Sequence, residues 1–246
     1  MKTIILAAGY ATRLYPLTEN FPKPLLKIGG KTILDWLIDD IHTSGLADEY
    51  LVISNHRFAA HFENWAKERA LPITVLDDGT SSNETRLGAV RDIQFALEKT
   101  GISEDVLVMA GDNVLAFSLV PFMHFGLKNN CSCIMYYEEN EPAKQQRTAI
   151  ITLDADDVIT SFEEKPIKPK SNLAVPPFYF YKAQDLCRIP EALAAGCGSD
   201  APGSFAAWLS EQTPMKAYRM PASRYDIGNL ESYEAVKASY RGIVVH

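Results

Sequence analysis

Residues 2–23 read KTIILAAGYATRLYPLTENFPK. The opening run, Lys2–Leu6, is short and apolar, as expected of a strand buried on both faces of a parallel sheet. It falls far below the roughly 20 apolar residues needed to span a bilayer. It also enters a Gly/Thr/Arg loop rather than a small-residue cleavage site, so a first strand is expected and not a secretion signal. The loop holds Gly9 where the chain must turn and carries Arg13 and Lys23 in one excursion, stiffened by Pro16, Pro22 and Pro24. Such a loop exposes backbone N–H groups to phosphate oxygens while its cations neutralise them. It is neither a P-loop, having no G-K-[ST], nor the dinucleotide fingerprint G-x-G-x-x-G.

Outward from this stretch, the first half alternates strands and helices. Thr32–His42 has helical periodicity, Tyr50–Ser54 reads as a strand, Ala59–Arg69 as a helix and Ile73–Leu76 as a short strand. A Gly/Ser/Asn-rich loop runs to about Glu84, followed by a helix over Arg86–Glu98 and a buried strand at Val106–Met109. This alternation predicts an α/β fold, a doubly wound and mostly parallel mixed sheet with ligands at the carboxyl ends of its strands. After Cys131 the pattern changes. Cys133–Tyr137, Thr148–Leu153, Val158–Glu163 and Pro177–Tyr181 read as strands of a small antiparallel lobe, with Ser171–Pro177 as a loop. Helices near Ala183–Leu193 and Ser204–Gln212, a strand near Met215–Met220 and a final helix from Glu231 complete the chain. One domain, 1–246, is expected, with 1–130 mainly nucleotide-binding and 131–246 mainly acceptor-binding.

The formal net charge of −7, with no basic block, argues against a nucleic-acid partner, and no segment predicts a membrane span. Cys131, Cys133, Cys187 and Cys197 show no C-x-x-C spacing, so reduced thiols and a cytoplasmic location are expected. The five histidines form no zinc or triad constellation.

The loop resembles the signature G-x-G-T-R-x-x-P-x-T-x-x-x-P-K of the sugar-phosphate nucleotidyltransferase (sugar-nucleotide pyrophosphorylase) family. Gly9, Thr12, Arg13, Pro16, Thr18, Pro22 and Lys23 match at the family's spacing, while Ala11 stands where the family usually has its second glycine. A methyl group there narrows the permitted backbone angles. The resemblance implies the family's Rossmann-like fold in its short form, without a C-terminal β-helix. It also implies that Arg13 grips the triphosphate and assists pyrophosphate departure, and that Lys23 contacts the reacting phosphates. Leu6, Ala8, Gly9, Tyr10, Ala11 and Thr12 would surround the nucleotide.

Asp112, in VLVMAGDNVL, directly follows a strongly apolar strand, where a Mg²⁺ ligand is expected in an α/β enzyme. It resembles the family's G-D motif. Asp226, in RYDIGNLESYEAV, resembles the W-x-D-x-G-T-x-E-x-L segment, and the resemblance implies that this pair holds Mg²⁺. Glu164, Lys165 and Pro166 resemble the family's E-K-P element, which implies that Lys165 binds the acceptor phosphate and Glu164 the sugar hydroxyls. Pro176 and Pro177 stand near the place of a glycine and a small residue, which points away from the common hexose phosphates. In DDGTSSNETRLGAV, the residues Glu84, Thr85 and Gly88 resemble an E-T-G-G-G run of short bacterial uridylyltransferases, with Arg86 and Leu87 replacing two glycines. Asn83, Thr85, Arg86 and Gly88 are therefore candidate nucleotide-binding residues. Arg86 suits a base or phosphate contact and a surface turn equally well.

The expected activity is transfer of a nucleoside monophosphate from UTP, dTTP or CTP to a sugar 1-phosphate. A cytidylyltransferase acting on a phosphorylated non-sugar acceptor is the first rival, and a non-catalytic nucleotide-sugar-binding subunit the second. A glycosyltransferase would want a D-x-D motif; Asp154–Asp156 fits the letters, but ITLDADDVITSF reads as a hairpin turn. The expected partners are a nucleoside triphosphate and a phosphorylated small molecule. Relatives are often dimers or tetramers, and no interface is legible here.

Overall fold

The computed structural model describes residues 1–225 and 227–244. The chain forms two compact units, one built from Met1–Arg86, Met109–Pro121 and Pro221–His246, the other from Leu87–Val108 and Phe122–Met220.

In the first unit Glu49–Ser54 lies between Lys2–Leu6 and Ile73–Asp77, all parallel, with Ile4 opposite Leu51 and Val52 opposite Val75. Ile4, Ile5, Leu51 and Val52 are fully buried, the continuous apolar reading expected of parallel strands. The connecting helices are Ile33–Thr43 and His56–Lys67. Thr32 and Asp35 form a reciprocal capping box at the start of the former. The latter begins three residues before the expected Ala59, because Asn55 caps it by accepting from Phe58 N–H at 3.1 Å. A short antiparallel ribbon joins Val114–Leu115 to Arg224–Tyr225. The helix Leu230–Ser239 packs Tyr233 and Val236 into a cluster with Leu14, Ile28, Ile33 and Ile227.

The second unit has an antiparallel sheet in the order Ile159–Glu164, Ala149–Leu153, Leu173–Val175, Cys133–Glu138, Phe178–Tyr181. Lys216–Arg219 joins Cys133–Glu138 in parallel. Leu173–Val175 corrects the expectation of a loop over Ser171–Pro177. Ala174, fully buried, sits between Ile150 and Tyr137 on its two neighbours, so pairing on both sides overrides the flanking prolines. The helix expected from Arg86 starts at Ala89, because Gly88 precedes it with φ +89°. The helix expected over Ala183–Leu193 is two, Ala183–Leu186 and Ile189–Ala194, since Pro190 has no N–H and belongs at a helix start. The helix Val120–Lys128 has no counterpart in the sequence reading; its Gly126 lies against Phe180 so closely that a methyl group would overlap the ring. No helix among the described residues is long and apolar enough to cross a membrane.

Candidate functional site

The loop after the first strand folds back on itself through short-range bonds. Ala11 adopts a left-handed conformation (φ 45°, ψ 43°), and its carbonyl accepts from Leu14 N–H at 2.9 Å and from Thr18 Oγ1 at 2.8 Å. Thr18 is fully buried, so this signature position serves the loop's shape. Ala11 takes the left-handed conformation that a glycine takes freely, at the steric cost its methyl group imposes. Asn55, also fully buried, donates to Ala8 O at 2.8 Å and ties the loop to the following helix. Sequence reasoning passed over Asn55, although an Asn between a strand and a helical pattern is a recognisable cap.

Lys23 opens a one-turn 3₁₀ helix behind Pro22 and is nearly buried. Its Nζ donates to Asp112 Oδ2 at 2.7 Å. Asp112 reaches this position because Gly111 N–H donates to Leu6 O at 2.9 Å, at the carboxyl end of the first strand. The Lys23 side chain is 11 % exposed and that of Asp112 43 %. Burial works against the charge on Asp112, but the Lys23 ammonium outweighs it, with help from Arg224, and holds the carboxyl below the usual carboxylate range. Asn113 donates to Ala110 O at 3.0 Å and to Asp112 Oδ1 at 3.4 Å while accepting from Arg224 Nη1 at 3.0 Å.

These residues line a cavity of about 240 Å³ that gathers Leu6, Gly9, Ala11, Arg13, Lys23 and Asp112 from the sequence reading. Ala7, Leu14, Pro24, Ile227 and Gly228 complete the lining. Arg13 is exposed and makes no ion pair among the described residues. Asp226, the second expected metal ligand, lies outside the described residues. Among the described residues no three His, Cys, Asp or Glu side chains form a ready-made metal site. Mg²⁺ nevertheless commonly uses one or two carboxylates plus substrate phosphates. Asp112, an ionised hard-oxygen donor on the cavity wall, fits that requirement.

Other expected nucleotide residues do not line this cavity. Ala8 and Tyr10 are buried, with the Tyr10 hydroxyl donating to Thr80 O at 3.4 Å, and Thr12 is exposed. In the 78–86 loop Arg86 Nη1 donates to Asn83 O at 2.9 Å and Thr85 Oγ1 to Ser82 O at 3.2 Å, so these side chains shape a local turn. Gly88 has a packing reason to be glycine, since a Cβ would lie 2.6 Å from Ser199 O.

A second cavity, of about 290 Å³, lies within the second unit and brings Glu164 and Lys165 together with Arg147, Thr148, Pro177, Tyr179 and Gly203. Lys165 leaves the strand in a left-handed conformation (φ 50°), its N–H donating to Thr148 O at 3.1 Å. Burial pushes the Glu164 carboxyl up, and Lys165 partly offsets this. Burial likewise pushes the Tyr179 phenol up, with Glu164 adding to it. Arg147, Tyr179 and Gly203 were not anticipated, since they carry no spacing signal and meet only through sheet pairing. Asp154 spends its carboxylate on a turn, accepting from Asp156 and Val158 N–H at 2.9 Å each.

A Gly-containing loop at the end of a parallel strand, with Lys23 paired to the strand-end Asp112 and Arg13 on the same cavity wall, is the arrangement expected of an α/β protein that handles phosphate groups. The chain matches the nucleotidyl transferase family over residues 2–242 and belongs to it. It is 33 % identical over 175 residues to the bifunctional protein GlmU of Methanococcus aeolicus, an alignment covering 70 % of this chain and 38 % of that one. It is 26 % identical over 244 residues to the glucose-1-phosphate adenylyltransferase of Clostridium acetobutylicum, covering 93 % of this chain and 64 % of that one. The chain thus spans less than two thirds of the length of these curated relatives. A UDP-glucose pyrophosphorylase solved with UDP-glucose superposes with a TM-score of 0.81 at 20 % identity, covering 97 % of each chain, which shows the fold.

Proposed function

We propose that this protein transfers a nucleoside monophosphate from a nucleoside triphosphate to a sugar 1-phosphate and releases pyrophosphate. The observation that carries this reading is the convergence of Arg13, Lys23 and Asp112 on one cavity beside Gly9. Family membership and the second cavity, with Glu164 and Lys165 on its wall, support it. The acceptor phosphate oxygen, already ionised at neutral pH, attacks the α-phosphorus, and the bond to the β-phosphate oxygen breaks as pyrophosphate leaves with the electron pair. No general base is needed. Catalysis reduces to alignment and charge neutralisation, with Arg13 and Lys23 on the triphosphate and Lys165 on the acceptor phosphate. Mg²⁺ held by Asp112 and the phosphates supplies further neutralisation when bound.

Pro177 beside Glu164 and Tyr179 favours keeping a second reading, in which the acceptor is a phosphorylated non-sugar. Pyrophosphate release with Mg²⁺, measured across the common triphosphates crossed with sugar 1-phosphates and phosphorylated alcohols and amines, separates the two. Arg13→Ala and Asp112→Asn should each lose about two to three orders of magnitude in rate. Tight nucleotide binding with no turnover on any acceptor would overturn the catalytic reading in favour of a binding subunit.

A further inference from the structure

The proposed reaction requires Lys23 on the triphosphate and Asp112 on Mg²⁺. In this structure each is engaged with the other. Lys23 Nζ donates to Asp112 Oδ2 at 2.7 Å, while Asp112 Oδ1 accepts from Asn113 Nδ2 at 3.4 Å. The ammonium thus stands where a hard cation would approach the carboxylate, and it supplies part of the same charge. A divalent ion set beside it would meet like-charge repulsion, and the Lys23 side chain is only 11 % exposed, so water and salt screen that repulsion weakly. The main chain fixes the two residues without fixing the ammonium. Leu25 N–H donates to Pro22 O at 3.1 Å and Leu26 N–H to Lys23 O at 3.0 Å, which closes the turn that carries Lys23. Gly111 N–H does the same for Asp112 by donating to Leu6 O at 2.9 Å. Lys23 and Asp112 line one cavity with Gly9 and Arg13. The flexible four-carbon stem can therefore swing Nζ from the carboxylate to a phosphate oxygen in that cavity while the backbone stays in place. Both oxygens are charged acceptors, so the exchange leaves Lys23 paired and frees Asp112 Oδ2.

We propose that Lys23 is an internal substitute for the metal ion: it closes the cation position on Asp112 until a triphosphate draws the ammonium away, so that metal and triphosphate enter together and bare Mg²⁺ is held off. The inference rests on the triphosphate reading of this cavity, and on neither the acceptor nor turnover. By linkage, each of the two ligands strengthens the binding of the other by the same factor. A pair closed about nine-tenths of the time leaves the carboxylate open for the remaining tenth, which weakens the apparent affinity for bare metal about tenfold. The same closure weakens binding of a metal-free triphosphate. That ligand has to take Lys23 from Asp112 and then faces an uncovered carboxylate.

Two titrations of the whole protein read the two sides of the pair. Mn²⁺, which takes the same oxygen ligands as Mg²⁺, is added without nucleotide and followed by loss of the electron-paramagnetic-resonance signal of the free ion. It should bind Lys23→Met at least about tenfold more tightly than wild type, since methionine keeps the apolar stem and removes the charge. The gain should vanish in Lys23→Met/Asp112→Asn, which places it at the carboxylate. Inorganic tripolyphosphate, which carries no base, is titrated by calorimetry in excess EDTA. It should bind Asp112→Asn at least about tenfold more tightly than wild type, and this gain should also vanish in the double variant, because it needs the freed ammonium. Mn²⁺ binding no tighter in Lys23→Met than in wild type, with circular dichroism unchanged, overturns the proposal. So does a tripolyphosphate gain that survives without Lys23. No gain in Asp112→Asn overturns it as well, even if Lys23→Met does not fold. Neither titration contains an acceptor, so their failure is distinct from a failure of pyrophosphate release.

Discussion

A methyl group built on Gly9 meets no protein atom within 4 Å, whereas one on Gly111 lies 2.9 Å from Ile5 Cγ2. Nothing in the protein therefore requires glycine at Gly9, and the demand is left to whatever occupies the cavity that Gly9 lines. Gly111→Ala should lose about 1–3 kcal/mol of stability through overpacking. Gly9→Ala should melt within a degree or two of wild type, yet bind triphosphate at least about tenfold more weakly. Urea unfolding and nucleotide titration read the two quantities separately, and unchanged nucleotide affinity in Gly9→Ala would remove that residue from the site. Ala11 presents the reverse case, a side chain at φ 45°. Ala11→Gly relieves a left-handed strain of about 1–2 kcal/mol and loses part of that to greater freedom in the unfolded chain. A net gain of about 0.5 kcal/mol in the same unfolding experiment is expected, and a net loss would mean the cavity's shape depends on that methyl group.

At the scale of elements, the second cavity forms where a strand ends and a helix begins. Lys165 turns out of the strand Ile159–Glu164, and Gly203 opens the helix Gly203–Gln212 so close to Glu164 Oε2 that any side chain there would overlap it. The resulting burial raises the Glu164 carboxyl above its ordinary value of 4.5. A raised carboxyl contributes stability that is fully present below the unfolded-state value and is lost as pH rises through the folded-state value. Glu164→Gln, which cannot ionise, should therefore match wild type near pH 4 and become relatively more stable as pH rises toward 7. A difference of constant size across that range, measured by thermal unfolding, would show that Glu164 is not desolvated. The strand–helix alternation and the strand-end cations were legible because each is a local pattern, periodic or at fixed spacing. The strand Leu173–Val175 was not, since three residues between prolines carry no period and its pairing is long-range. Nor was Val120–Lys128, whose proline, glycine and aromatics are poor helix formers held by packing such as Gly126 against Phe180. Arg13, Lys23 and Asp112 could be named from sequence, but Arg147 and Tyr179 join the second cavity, and Asn55 reaches Ala8 in the loop, only through folding.

At the scale of the whole molecule, the chain interleaves its two units, yet each cavity is lined within one of them. Unit by unit, ligands should therefore leave separable footprints in native-state hydrogen exchange. A Mg²⁺–triphosphate complex alone, at about 100 times its dissociation constant, stabilises whatever binds it by about 2.7 kcal/mol. That protection should appear at backbone amides around Ala11–Leu14, Lys23–Leu26 and Gly111–Asn113, including the Gly111 N–H bonded to Leu6 O and the Leu14 N–H bonded to Ala11 O. A sugar 1-phosphate alone should slow exchange at Lys165, whose N–H is held by Thr148 O, and at the start of the helix Gly203–Gln212. Exchange reads local opening directly, so the two footprints are distinguishable even where global unfolding is cooperative. Protection by triphosphate confined to 147–149 and 164–165 would reverse the assignment of the two cavities. Protection by sugar phosphate confined to the loop after the first strand would mean that the Arg13 and Lys23 cavity reads the acceptor, and the roles of Lys23 and Lys165 would have to be exchanged.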